Sequence, residues 1–503
     1  MKILAKELLE RAQHSPDRIA VVDELGEHTL GEIVAAATTL AARIEAIDPG
    51  APTVLVQADN TWHTVAAALA VGMRGGVVAV LSPHAADSEF RLAVADIAPD
   101  LVFAEPEPLD RWDVPADFSL RETAFAGRVV CARPGPFGPV ERWRGGTAIA
   151  MTSGSTGRPK CVVQSEEAIR YACARTIEVV GMRPGDAVGA FVPLSSVAAF
   201  CFGMYLPAYL GGSMVTIEKW SPAAALRAMA AHRVAWTMLV PTMALQLSLV
   251  DNSPGTLALR AMTVGGGPMN ESAMAAAENR LGTTFLRVFG MSECLGHTTP
   301  RIDDLPAIRL GRDGRPFEGT VVRAVDGSGN ILGPGEVGDA QVKGPSLFVG
   351  YAREGVPVPP ELTPDGFLPT GDLVEVAHDG SIRVLGRQKQ IIIRGGRNID
   401  INEMEAAIAG LPAVVQVCVV AVPDDLLGER AAALVVTDGP PLTLDTVTTQ
   451  LAAADVPKFK WPEYLFTVPD LPQNRVGKLD RPEAVRLATR LTTSTDSSSA
   501  QVR

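Results

Sequence analysis

The stretch TVLVQADNTWHTVAAALAVGMRGGVVAVLSP, residues 53–83, decides the fold. Its first six residues, Thr53–Ala58, form a short β-branched and apolar run that reads as a strand. The residues TWHTVAAALAVGMRGG read as a helix that stops at Gly75–Gly76. VVAVLSP then reads as the next strand. The same rhythm returns at LVFAEP from Leu101. It returns again at AWTMLV before a helical pattern, and at RAMTVGGG before MNESAMAAAENRLG. Strands alternating with helices predict an α/β fold: a large N-terminal domain of mostly parallel sheets flanked by helices.

The character changes after Asp372. LVEVAHDGSIRVLGR predicts a hairpin turning at Asp379–Gly380, followed by helix, strand, strand and a helix-rich end. This predicts a small α+β C-terminal domain. The expected division is 1–386 for the large domain and 387–490 for the small one. The last residues, 491–503, are polar and of low complexity and predict a disordered tail.

The chain has 503 residues, 47% hydrophobic and 20% charged, with a net charge of −12 and no long basic run. Nucleic acids and anionic membranes need clustered Lys and Arg, so neither is an expected partner. Six scattered cysteines with no C-x-x-C pair predict reduced, mostly buried thiols in a cytoplasmic protein. The N-terminal segment carries charge too often for a signal peptide. Ala187–Ile217 has no charged residue and could span a bilayer by length alone. Its prolines, glycines and serines instead predict a buried strand, turn, helix and strand in a soluble domain. No metal site made wholly of protein ligands is visible.

MTSGSTGRPK, residues 151–160, is glycine-rich, hydroxylated and closed by a lysine. It is not a Walker loop, because Lys160 comes too late and no hydroxyl follows it. Gly265–Gly267 likewise lack the Rossmann spacing. The loop still suits an anion: Gly154 and Gly157 allow close approach, Thr152, Ser153, Ser155 and Thr156 add hydroxyls, and Lys160 adds charge. A plain surface loop has the same composition.

Four further stretches accompany it: VFGMSE (288–293), PTGDL (369–373), GRQKQIIIRGGRNIDINEMEAAI from Gly386, and PQNRVGKLDR (472–481). In this order, over nearly the whole chain, the sequence resembles the adenylate-forming superfamily of acyl- and aryl-CoA ligases, peptide-synthetase adenylation domains and luciferases. The resemblance implies that a carboxylate and ATP form an acyl-adenylate and pyrophosphate, and that a thiol then displaces AMP.

It also implies roles. The 152–160 loop would hold the β- and γ-phosphates. Gly265, Gly266 and Gly267 would line the adenine and acyl pockets. Phe289 would stack on adenine, Phe replacing the usual Tyr, and Gly290 and Met291 would belong to the same ATP site. Ser292 would contact the α-phosphate, and Glu293 would hold Mg2+. Asp372 would take the ribose hydroxyls, with Arg387 approaching the same sugar. Lys478 would bridge the reacting anions. Lys389 would be the hinge of a mobile C-terminal domain, and Arg394, Gly395 and Gly396 would guide the thiol.

Some positions depart from the pattern. Cys161 replaces a frequent Gly, and Glu166 stands where many members have His. FVPLSSVAAF, residues 191–200, lacks the Asp that pairs an amino-acid substrate, and it lacks the Asn seen in many ortho-hydroxyaryl members. A free ammonium would be left unpaired there. The expected acyl pocket is therefore apolar, lined by Phe191, Phe200, Phe202 and Met204, and suited to an aromatic, alicyclic or aliphatic acid. These residues could equally be plain core.

The expected acceptor is coenzyme A, because IIIRGGRNI resembles stand-alone ligases. The alternative is phosphopantetheine on a separate acyl carrier protein, since the chain after Arg481 is too short for a carrier domain. A catalytically silent nucleotide- or acyl-binding protein and a luciferase-like oxygen-using enzyme are the outside readings. The expected state is monomer or homodimer.

Overall fold

The computed structural model describes the chain except residues 153–158, 251–256, 268, 270, 388–390, 395, 396, 412, 425, 426, 440, 455, 476 and 500–503. For residues 387, 391, 393, 397, 398, 400 and 494–499 the backbone alone is described. The chain is mixed α/β. One nine-stranded sheet carries Val188–Gly189, Trp236–Leu239, Ala261–Gly265 and Thr284–Met291 side by side, all parallel. A second nine-stranded sheet carries Leu101–Ala104, Thr53–Gln57, Val77–Leu81 and Gly146–Thr152 in parallel. Every residue of Thr53–Gln57, Val77–Leu81 and Ala261–Gly265 is buried. Helices cover both faces of such strands, so unbroken apolar runs form them instead of alternating ones.

Val321–Val325, Val337–Lys343, Leu368–Val376 and Ile382–Arg387 form a four-stranded antiparallel sheet. A last sheet begins at Ile391 and is built on the long hairpin of Val414–Asp424 with Gly428–Thr437. It has its own core on each face. Met404, Ile408, Val447 and Leu451 pack on one side, and Ala484 and Ala488 on the other.

The terminal helix runs Arg481–Ser499, so helix occupies positions where composition predicts disorder. Ala484 and Ala488, one turn apart and fully buried, dock it on the hairpin. The Thr492 and Thr493 hydroxyls bond back to the Thr489 carbonyl, which accommodates polar residues in helical backbone.

Ala187–Ile217 folds as expected: strand Val188–Gly189, a helical stretch over Val197–Leu210, then strand Met214–Val215, nearly all buried. No helix among the described residues is long and apolar enough to cross a membrane. All six cysteines are free and buried.

Glu166 has a structural task. Its carboxylate accepts from the backbone N–H groups of Ile3 (3.0 Å) and Leu4 (2.8 Å), in the first turn of helix Lys2–His14, and from the Tyr205 hydroxyl (2.8 Å). Removing it leaves buried donors unmet, at about 1–3 kcal/mol each. Glu166→Ala should therefore lower unfolding stability by roughly 3 kcal/mol in urea titrations. Pyrophosphate release per folded molecule should not change.

Candidate active site

In open parallel sheets, ligands bind beyond the carboxyl ends of the strands. Four neighbouring strands of the first large sheet present their ends together. Val188–Gly189 leads into Phe191, Trp236–Leu239 into Pro241, Ala261–Gly265 into Gly266–Gly267, and Thr284–Met291 into Ser292–Glu293. Phe191, Gly265–Gly267 and Phe289–Glu293 thus meet on one edge of one sheet, although they lie far apart in the chain.

The glycines keep that edge open to close packing. A β-carbon on Gly265 would lie 2.3 Å from Val288 Cγ1. Gly266 has φ +84°, and a β-carbon there would lie 2.9 Å from Cε and 3.2 Å from Nζ of Lys478. Lys478 is therefore against the glycine turn. A hairpin presents it: the Asn474 amide donates to the Lys478 carbonyl (2.7 Å), the Lys478 amide donates to Asn474 Oδ1 (3.0 Å), and Gly477 turns at φ +76°. The hairpin is held to the large sheet by the Thr242 hydroxyl, which donates to the Gly477 carbonyl (2.7 Å). Met243 and Val240 pack against Gly477.

Ser292 and Glu293 form the tight turn between Thr284–Met291 and the antiparallel strand Cys294–Thr299. Gln164 Nε2 donates to the Ser292 carbonyl (2.7 Å). The Tyr351 hydroxyl donates to Glu293 Oε1 (2.7 Å), and Lys160 Nζ lies 4.7 Å from the centre of the Tyr351 ring. Burial and the Glu293 carboxylate hold the Tyr351 phenol protonated, well above its ordinary range. A chain of contacts thus links Lys160, Tyr351 and Glu293. Sequence reading does not find Tyr351, because a lone tyrosine on a short strand has no spacing signal.

Phe289 is buried, and its ring meets that of His297 edge-on, with centres 4.5 Å apart. His297 is fully buried. Burial pushes its imidazole down to about 4, against the raising effect of its hydrogen bond to the Cys294 carbonyl (3.0 Å). Nδ1 donates there, and Nε2 has no hydrogen-bond partner among the described residues. Between pH 6.5 and about 4 the unfolded chain binds the proton and the folded chain resists it. Folding stability should therefore fall as pH drops through that window, by up to about 3 kcal/mol. Urea midpoints at several pH values should show a shallower slope in His297→Gln.

The aromatic candidates are tightly packed. Phe202 Cζ lies 2.9 Å from a β-carbon built on Gly296, and its ring meets Trp236 edge-on at 6.5 Å. Phe191 lies over Gly189, and Phe191 and Phe200 are buried. Met204 is buried in the same core. It also lines a cavity under helix Lys2–His14. Phe202 and Met204 are two residues apart on a helical segment, so they point to different sides.

Asp372 is buried, its amide donates to the Thr370 hydroxyl (3.1 Å), and its backbone pairs with that of Arg387. The Arg394 guanidinium is paired with Glu463. Ser153, Gly154, Ser155, Thr156, Gly157, Lys389, Gly395 and Gly396, and the side chain of Arg387, lie outside the described residues. Thr152 and Lys160 are backbone partners flanking the loop, which joins two antiparallel strands rather than a strand and a helix. That connection differs from a Walker loop, in accord with the sequence.

The pattern of the AMP-binding enzyme family matches residues 8–352, and that of the AMP-binding enzyme C-terminal domain matches 403–478. The chain belongs to the AMP-binding enzyme family. Among curated relatives of this AMP-binding enzyme is a salicylyl-CoA synthase / salicylate adenylyltransferase from a Streptomyces species. It is 33% identical, over 95% of this chain and 92% of the relative. A salicyl-AMP ligase / salicyl-S-ArCP synthetase from Mycobacterium tuberculosis is 30% identical, over 95% and 89%. Among solved structures, ATP-bound MatB from Rhodopseudomonas palustris superposes with a TM-score of 0.83. It is 26% identical and covers 97% of this chain and 99% of its own.

The family uses ATP and Mg2+. No group of three or more His, Cys, Asp or Glu side chains suited to a metal ion occurs among the described residues. A hard cation with few protein ligands takes its remaining oxygens from substrate phosphates and water, so a single carboxylate at Glu293 fits Mg2+ delivered with a nucleotide.

Proposed function

We propose that this AMP-binding enzyme activates an apolar carboxylic acid, aryl acids foremost, as its acyl-adenylate and then transfers the acyl group to coenzyme A. The observation that carries the reading is Lys478 set against Gly266, at the carboxyl ends of the strands that bear Phe289, Ser292 and Glu293. A carboxylate oxygen attacks the α-phosphorus, the bond to the bridging oxygen breaks, and pyrophosphate leaves. Two anions converge in that step. An ammonium between them stabilises the transition state more than the separated ground states.

In this reading Lys160 and the 152–157 loop hold the departing phosphates, Ser292 holds the α-phosphate, and Phe289 stacks on adenine. Asp372 and Arg387 hold the ribose, and Gly265, Gly290 and Met291 shape the nucleotide cleft. Glu293 holds Mg2+, which neutralises phosphate charge when bound. Tyr351 fixes the Glu293 carboxylate. In the second step the thiol sulfur bonds to the acyl carbon, AMP leaves, and the thiol proton passes to solvent. Lys389 is the hinge, and Arg394, Gly395 and Gly396 line the thiol path.

The apolar character of Phe191, Val192, Phe200 and Phe202 supports an acid without an ammonium group. The salicylate relatives favour an aryl ring. A carrier-bound phosphopantetheine is the second reading, favoured by the relative named for an ArCP product.

The test is pyrophosphate release with Mg-ATP across aryl, alicyclic and aliphatic acids, with and without coenzyme A. Steady turnover that needs both acid and coenzyme A is the expected result. Release that stalls near one equivalent with coenzyme A present points to a carrier protein. No acid-dependent release with any acid overturns the reading.

A further inference from the structure

The cavity that takes Met204 is not part of the nucleotide edge. Its volume is about 460 Å3, within the range of small-molecule sites. Leu8, Val21, Ile33 and Met214 form an apolar floor, each no more than 6% exposed. The rim is charged and carries Arg11, Arg18, Glu7 and Glu10; the exposed Glu10 carboxylate faces Lys6 (3.9 Å). Glu7 is committed to Arg170 through two hydrogen bonds (2.8 and 3.1 Å). Arg11 donates to the carbonyls of Ala208 and Tyr209, which end a short helix and only partly offset its charge. Arg18 is exposed, and its guanidinium has no hydrogen bond or ion pair among the described residues. Both guanidiniums reach Gly211: a β-carbon there would lie 3.4 Å from Nη1 of Arg11 and 3.5 Å from Nη1 of Arg18.

Two like charges converging at the mouth of an apolar cavity, while Glu7 and Glu10 face Arg170 and Lys6, repel each other. An anion placed there relieves that repulsion, and the apolar floor strengthens its attraction. A hydrocarbon or aromatic body of moderate size would fill the floor beneath it. We propose that this cavity binds a small amphipathic monoanion, a carboxylate or sulfonate at Arg18 and Arg11 with its apolar body on Leu8, Ile33 and Met204. This inference does not rest on the proposed activity. Met204 belongs to the same helical segment as Phe200 and Phe202, so an occupant touches the far side of the wall that faces Gly296.

The test is a fluorescence titration of the full chain with anilinonaphthalene sulfonate, an amphipathic aromatic monoanion. The expected result is one saturable site, displaced by decanoate and weakened by added salt. Arg18→Glu, on the exposed rim where folding is not at stake, should weaken binding roughly tenfold or more. Val65→Trp, which fills the cavity from helix Trp62–Met73, should weaken it comparably. The inference is overturned if the wild-type protein shows no saturable site. It is equally overturned if Arg18→Glu binds the probe as tightly as wild type.

Discussion

Lys478→Ala should lower acid-dependent pyrophosphate release by about 10²–10³-fold while changing ATP affinity little. The expectation follows from where the ammonium sits. Against the Gly266 turn it can meet charge that exists only when the carboxylate and the α-phosphate are brought together. An interaction made mainly in the transition state appears in kcat, not in nucleotide binding. Single-turnover adenylate formation, with nucleotide affinity measured separately, divides the two. Undiminished adenylation in the variant would remove Lys478 from the chemistry.

Gly266→Val should fall nearly as far, by about 10²-fold, through geometry alone. Two penalties coincide at this residue. Its φ of +84° is costly for a β-branched side chain, by about 1–3 kcal/mol. Its β-carbon also collides with Lys478 Cε at 2.9 Å, so the lysine must move. Gly329 separates these effects. It has the same φ of +84°, yet nothing lies within 4 Å of a β-carbon there. Gly329→Val should therefore cost stability but leave adenylation intact. Adding Gly266→Val to Lys478→Ala should lose far less than the product of the single losses, because both act on one group. Fully multiplicative losses would show that Gly266 acts independently of the lysine.

Local chemistry is what a sequence exposes, and the parts of this fold that depend on it were readable. Residues 53–83 declare their strand, helix and strand through runs and glycine stops, and Asp379–Gly380 declares a hairpin. The motif glycines and Glu293 fall at strand ends because an α/β sheet concentrates turn residues there. What escapes is what distant segments decide. Nothing near Tyr351 tells that its hydroxyl meets Glu293. Nothing near Glu166 tells that it closes the first turn of the helix at the N-terminus, 162 residues earlier. Met204 looks like only a partner of Phe200 and Phe202 when spacing is counted, and helical backbone also turns it to the cavity under helix Lys2–His14. The polar terminal stretch reads as disorder because its anchors, Ala484 and Ala488, are small and lie just upstream.

One peptide step joins the two large sheets. The Phe348 amide donates to the Glu293 carbonyl (2.9 Å), and the next amide, of Val349, donates to Val163 (2.9 Å) in the strand that begins at Lys160. Consecutive N–H groups on an extended chain point opposite ways, so this step acts as a rivet between neighbouring layers. Its mechanical consequence is shared fate. A fluctuation that lifts residues 348–349 detaches the acidic turn and the lysine strand together, and both amides should exchange with deuterium at one common rate.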